Sequence, residues 1–226
     1  MNGLFIGVSI VCFIVSYLLG SISFGYIVGK ESGVDIRSEG SGNIGTTNAL
    51  RTLGIKAGLL TFLGDFLKAF IPVFLVYMFS ENLFGFDQNM TYIVSIISGI
   101  GAVMGHNFPA WMGFKGGKGI AVTAGVTVAV SFFRPYYWIC ALLIFIIIVL
   151  ISKYVSLGSL CVPAWAIPVY TILFERDNTY FALAVIISLI YTVLAFIKHS
   201  SNIKRLLNGT ENKLFGKKKN NSKEDC

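Results

Sequence analysis

Seven stretches of this chain, 4–29, 57–80, 91–110, 120–133, 135–152, 156–175 and 179–198, are almost continuously apolar. About 20 apolar residues in helical form cross the hydrocarbon core of a bilayer, and that core holds no water to satisfy a free backbone amide or carbonyl. The runs are continuous rather than alternating, which suits helices and not the strands of a barrel. The expected fold is therefore all-α: a polytopic membrane helix bundle of about seven transmembrane helices. With 55% hydrophobic and only 13% charged residues, the composition excludes an ordinary soluble domain. The 120–133 run is short for a crossing, so it is expected to tilt, or to form a hairpin with the fifth run broken at Arg134-Pro135. Met1-Asn2-Gly3 carries no Lys or Arg, so the first run reads as a span rather than a cleaved signal.

Charge placement sets the expected orientation. A seven-span path puts Lys30, Arg37, Arg51, Lys56, Lys115, Lys118, Lys153 and the eight Lys/Arg between Lys198 and Lys223 on one side, fifteen in all. Only Arg134 and Arg176 fall on the other side, and Lys68 lies inside the second run. Positive charge stays cytoplasmic, which places the N-terminus outside and the C-terminus in the cytoplasm. Residues 1–203 are expected to form a single transmembrane domain, and 204–226 a basic cytoplasmic tail, partly disordered from Lys217 onward. No repeat and no second domain is evident. Cys12, Cys140 and Cys161 sit in apolar runs and Cys226 in the tail, without metal-ligand spacing.

The polar motifs all fall on the basic side. Gly40-Ser41-Gly42-Asn43-Ile44-Gly45-Thr46-Thr47-Asn48, followed by Arg51, lies between the first two runs. Glycines free backbone amides to converge on an anion, hydroxyl and amide side chains add donors, and Arg51 adds a fork suited to phosphate. Gly105-His106-Asn107-Phe108-Pro109 and Phe114-Lys115-Gly116-Gly117-Lys118-Gly119 come next, then Ser156-Leu157-Gly158-Ser159, then Lys198-His199-Ser200-Ser201-Asn202-Ile203-Lys204-Arg205. Each has a plainer reading as a chain reversal or a flanking charge. Gly25-x-x-x-Gly29 and Gly101-x-x-x-Gly105 read as close helix packing. Asp65 and Lys68, three apart inside an apolar run, should face the bundle interior and pair with each other or with the site. Gly117-Lys118-Gly119 is not a nucleotide-binding P-loop: residue 119 would have to be Ser or Thr, and the first glycine position holds Met112.

The gathering of donors and cations on one face favours a site that holds two phosphate groups. No Ser-His-Asp spacing, nucleophile or metal set stands out, which points to charge neutralisation and positioning rather than covalent catalysis. A transporter of a phosphorylated small molecule would need polar residues near the midplane and access from both sides, and only Asp65 and Lys68 suggest that. A structural scaffold leaves the Ser41-to-Arg51 cluster without a purpose.

From Gly20 to Lys213 the chain resembles the bacterial acyl-phosphate:glycerol-3-phosphate acyltransferases, seven-span enzymes that begin phospholipid synthesis. The segments that carry the resemblance are Gly20-Ser21-Ile22-Ser23-Phe24-Gly25, Asp35 to Asn43, Thr47-Asn48 with Arg51, Lys115 to Gly119, and His199 to Lys213. Ser23, Thr46 and Ser200 depart from the family's usual Pro, Ala and Arg. The resemblance implies transfer of a fatty acyl group from acyl phosphate to the 1-hydroxyl of sn-glycerol 3-phosphate, giving lysophosphatidic acid and phosphate. It implies a bacterial plasma membrane location with the active site on the cytoplasmic side. Lys118, Ser41 and His199 are then the expected catalytic residues. Gly40, Gly42, Asn43, Gly45, Thr47, Asn48, Arg51, Asn202 and Arg205 are the expected substrate contacts, with amides of Gly40–Gly45 and Lys118 on the departing phosphate. The donor's own phosphate is the expected proton acceptor, and His199 the protein alternative. No cofactor, metal, nucleic acid or obligate protein partner is implied beyond the two substrates and membrane lipid.

Overall fold

The computed structural model describes residues 3–214; Met1, Asn2 and the expected disordered tail from Lys217, with Cys226, lie outside the described residues. Among the described residues there is no strand. Eleven α-helices follow in order: α1 Gly3–Gly20, α2 Phe24–Glu31, α3 Thr46–Leu53, α4 Ile55–Phe84, α5 Gln88–Asn107, α6 Ile120–Val130, α7 Pro135–Ser152, α8 Val155–Cys161, α9 Ala166–Phe174, α10 Phe181–Lys198 and α11 Ser200–Leu207. Six stretches are long and apolar enough to cross a membrane: α1 with α2, α4, α5 with the turn after it, α7, α8 with α9, and α10. Six of the expected seven crossings are thus met on length. The seventh passage belongs to α6, which has 11 residues and spans only about 16 Å at 1.5 Å per residue.

Contacts at the two ends of the bundle show the path of the chain. At one end Phe5 packs on Phe86 and Tyr180, Asn89 bonds Thr179, and Arg134 donates to the Tyr170 hydroxyl at 2.7 Å. At the other end Lys118 reaches Asn202, Lys198 reaches the Asn107 carbonyl, and the Leu214 amide donates to the Lys153 carbonyl. The short α6 thus links Lys118 at one end to Arg134 at the other. It breaks before Arg134-Pro135, with Pro135 in the first turn of α7, where a missing amide proton does no harm.

Two apolar runs are broken where hydropathy does not signal it. The first divides at Ser21-Ile22-Ser23, and Ser23 caps α2 by accepting from the Tyr26 amide. A serine at this position is therefore a working helix cap. The sixth run divides at Val162–Trp165, where Pro163 stops α8 and a single 3₁₀ turn leads into α9.

Bilayer lipid is as apolar as leucine, so helices in it associate by close packing rather than by hydrophobic burial. The tightest contact is α1 on the central α5. A methyl group at Gly101 or Gly105 would run into the Phe13 or Tyr17 carbonyl. Gly25 packs on a second helix as expected, since a methyl group there would lie 3.2 Å from the Thr61 methyl of α4, whereas Gly29 meets only the loop. Side chains at the two positions would strike the carbonyls of Ile44 and Val34, in the polar loop that follows α2. That pair of glycines seats the loop. α5 is buried along most of its length, whereas α7 fully buries only Val149 and turns most of its residues outward, as a lipid-facing helix does. Asp65 and Lys68 lie inside the bundle and pair at 2.7 Å, as expected.

Candidate active site

The polar end of the bundle holds a cleft of about 300 Å³ lined by Ser41, Asn43, Gly116, Lys118, Ile197, Lys198, Ser200, Ser201 and Arg205. A second cleft of about 330 Å³, between Phe5, Ile10, Ile97 and Leu183, is apolar and sits toward the opposite end. Only the first offers donors to an anion.

The loop before α3 is held by one buried amide. Asn48 Nδ2 donates to the carbonyls of Ile36 (3.2 Å) and Glu39 (3.0 Å), and its Oδ1 accepts from the Ser41 amide at 2.9 Å. Asn48 therefore shapes the loop rather than meeting a substrate. Gly40 sits at φ +59° against Asn48 and Thr52, where a side chain would meet both strain and atoms. The Gly42 amide donates to the Glu39 carbonyl, and the Gly45 amide to Asn43 Oδ1 at 2.9 Å. Of the amides in the expected Gly40–Gly45 cradle, those of Ser41, Gly42 and Gly45 are engaged within the loop. What the loop presents to the cleft is the side chains of Ser41 and Asn43, the latter with Nδ2 as donor. Thr47 and the exposed Arg51 lie on α3 beside the cleft, without lining it.

Lys118 follows a short paired segment. The Gly116 amide donates to the Asn107 carbonyl (3.2 Å) and the Gly117 amide to that of His106 (3.1 Å). Lys118 Nζ then donates to Asn202 Oδ1 at 2.5 Å. Burial pulls the Lys118 pKa down to about 8; the Glu211 carboxylate opposes this, and the charges of Arg205, Arg51 and Lys198 add to it. The ammonium is thus charged at neutral pH yet poorly hydrated, which strengthens its hold on an anion.

His199 lies between α10 and α11, 2% exposed, and does not line the cleft. Its Nδ1 is 2.8 Å from the Ala195 carbonyl, so Nδ1–H donates and Nε2 is left as the acceptor. Burial, and secondly the Lys118 charge, push its pKa down to about 4. The imidazole is neutral at pH 7.

Two residues outside the expected set complete the site. Lys198 donates to the Asn107 carbonyl at 2.8 Å and lies over the Phe108 ring. Glu211 accepts from Asn202 Nδ2 (2.7 Å), Arg205 Nε (2.8 Å) and Ser156 Oγ (3.1 Å). Asn202 thereby joins Lys118 to Glu211. The one sequence signal for Glu211 is that it is the only acid between Lys198 and Leu214. α11 runs across the expected boundary at 203/204, and beyond it Arg205 lines the cleft with Glu211 bonded to it. Among the described residues no group of three His, Cys, Asp or Glu side chains is placed to hold a metal ion.

The family model described as Glycerol-3-phosphate acyltransferase matches residues 10–209. A glycerol-3-phosphate acyltransferase of Clostridioides difficile (strain 630) is 45% identical over 210 residues, 92% of this chain and 97% of that one. One from Geobacter sulfurreducens is 42% identical, over 88% and 94% of the two chains. The crystal structure of PlsY (YgiH), an integral membrane glycerol 3-phosphate acyltransferase, in its glycerol 3-phosphate form, superposes with a TM-score of 0.76 at 38% identity. It covers 92% of this chain and 96% of its own.

Proposed function

The chain belongs to the glycerol-3-phosphate acyltransferase family, and from that footing we propose that its acyl donor is an acyl phosphate. The products are then 1-acyl-glycerol 3-phosphate and inorganic phosphate. The chain is a membrane acyltransferase that acylates glycerol 3-phosphate; the donor, the product and the side of the membrane are what the proposal adds. The cleft faces the cytoplasm in this reading, supported by the fifteen basic residues on its side of a seven-passage path.

One observation carries the proposal. Lys118, Lys198 and Arg205 meet in a single cleft with the donors of Ser41, Asn43, Ser200 and Ser201, and Arg51 stands close by. The Glu211 carboxylate is offset by its ion pair with Arg205 and hydrogen-bonded by Asn202 and Ser156, which leaves Lys118 and Lys198 as the net positive charge of the cleft. Such a site suits two phosphate groups side by side. An acyl phosphate is already activated, so the protein has to align the two substrates and stabilise the charge that develops.

The 1-hydroxyl oxygen attacks the acyl carbonyl carbon, the bond from that carbon to the phosphate oxygen breaks, and phosphate leaves beside Lys118. The hydroxyl proton passes to the donor's phosphate. A histidine near 4 is ill matched as a base at neutral pH, which favours this route over His199. His199 then holds the turn between α10 and α11 and offers Nε2 as a polar contact.

Purified protein given glycerol 3-phosphate and palmitoyl phosphate should release phosphate and lysophosphatidic acid in equal amounts. Turnover on palmitoyl-coenzyme A with none on palmitoyl phosphate would discard the proposed donor. His199→Gln should keep at least a tenth of the parent kcat, with the acidic limb of its pH profile unmoved, because glutamine can hydrogen-bond but cannot take a proton at neutral pH. A folded, substrate-binding Gln variant without turnover would make His199 the base.

A further inference from the structure

Asp65, Lys68 and His106 form a buried polar unit that the proposed chemistry does not use. Their side chains are 2–4% exposed. Lys68 Nζ lies 2.7 Å from Asp65 Oδ1, 2.6 Å from the Ile22 carbonyl and 2.9 Å from His106 Nδ1. An ammonium has three protons, and all three have an acceptor here. His106 Nδ1 is then an acceptor, and the ring carries its proton on Nε2. An ion pair serving only to neutralise α4 would close within α4. Two of the three Lys68 bonds leave it.

Each of those bonds ends where a wall of the cleft begins. Ile22 lies in the break between α1 and α2, from which α2 runs to the glycines that seat the Ser41–Asn43 loop against Ile44 and Val34. The neighbouring Ser21 carbonyl is held by the Trp111 indole N–H at 2.8 Å. His106 ends α5. Its carbonyl takes the Gly117 amide, and its ring lies so close under Gly117 that a side chain there would strike Nε2. Lys118 is the next residue. One ammonium therefore ties α4 to the origins of both loops that face each other across the cleft.

We propose that Asp65, Lys68 and His106 are positioning residues for acyl transfer, setting the spacing between the Ser41–Asn43 loop and Lys118. The inference rests on the cleft being the acyl-transfer site. Polar groups that must be satisfied in a dry interior have few alternative arrangements, so the unit holds this spacing more tightly than apolar contacts of the same size. Loosening it should let water reach Lys118 and misplace the ammonium relative to Ser41 and Asn43.

The test is the double variant Asp65→Asn/Lys68→Met, which removes both charges together and leaves no uncompensated ion. Thermal unfolding in detergent should fall by only a few degrees. Its kcat/KM per folded molecule should drop at least tenfold, and the alkaline limb of its pH–rate profile should move upward as Lys118 regains water. A folded double variant with kcat/KM within threefold of the parent and an unmoved limb would make the unit merely structural. A second pair guards against failure to fold. His106→Leu removes the acceptor for Lys68, whereas His106→Asn restores one near Nδ1. Asn should recover at least threefold more activity than Leu, and equal rates would overturn the inference. Calorimetric titration with glycerol 3-phosphate separates this from the donor assignment. At least tenfold weaker binding by the double variant supports the unit even if the parent does not turn over palmitoyl phosphate, and unchanged affinity counts against it.

Discussion

Lys118→Met should lower kcat by roughly two to three orders of magnitude, the loss typical of removing one preorganised donor from a developing oxyanion. Membrane insertion and thermal stability should hardly change, since the ammonium has a single side-chain partner, Asn202 Oδ1, and the segment before it is fixed by the backbone bonds of Gly116 and Gly117. The loss should fall on kcat more than on KM for glycerol 3-phosphate, because the charge on the leaving phosphate grows during bond breaking. Parent activity should show the same group titrating. Lys118 loses its proton near pH 8, so the rate should fall as pH rises through 8. The Met variant's residual rate should lack that limb. A Met variant within a few-fold of the parent would remove Lys118 from the chemistry.

Hydropathy foretells the spans well because burial in lipid is a demand on every residue of a run. It is silent on backbone accounting, and the misread features lie there. Ser21-Ile22-Ser23 lies inside a run whose overall hydropathy is that of one span, yet the helix stops, because the freed carbonyls of Ser21 and Ile22 find Trp111 and Lys68. Gly25-x-x-x-Gly29 has the spacing of a helix–helix contact, which Gly25 makes with Thr61 of α4, but the closest approach at both glycines is to the returning loop. In the candidate site, residue types that suit phosphate could be recognised, but not which way they point. Asn48 has the donors of a substrate ligand and directs them all into its own loop. Ser41, Asn43, Lys118 and Arg205 do reach one cleft, where Lys198 joins them. Lys198 stands in sequence at the end of an apolar run, and only the approach of α10 to the 116–118 segment brings it to the cleft.

Glu211 is the residue whose removal should reveal how that cleft is tuned. Three donors converge on it: Asn202, Arg205 and Ser156. Hydrogen bonds to a charged partner are worth about 1.5–3 kcal/mol each, so Glu211→Ala should loosen the segment after α11 and cut activity roughly a hundredfold. Glu211→Gln separates charge from shape. Its carbonyl oxygen can still accept from Asn202 and Ser156, but its amide nitrogen cannot accept from Arg205 Nε. The carboxylate is also the one charge that holds the Lys118 pKa up against burial and against Arg205, Arg51 and Lys198. Without it Lys118 should deprotonate more easily, and the alkaline limb should move below pH 8. That direction is opposite to the one expected for Asp65→Asn/Lys68→Met, where added water raises the pKa. The two variants therefore read different influences on the same ammonium. Opposite displacements would confirm that Lys118 is the titrating group and that burial and Glu211 act on it separately. Displacement of both limbs in one direction, or of neither, would assign the limb to another group and with it the protonated residue that activity requires.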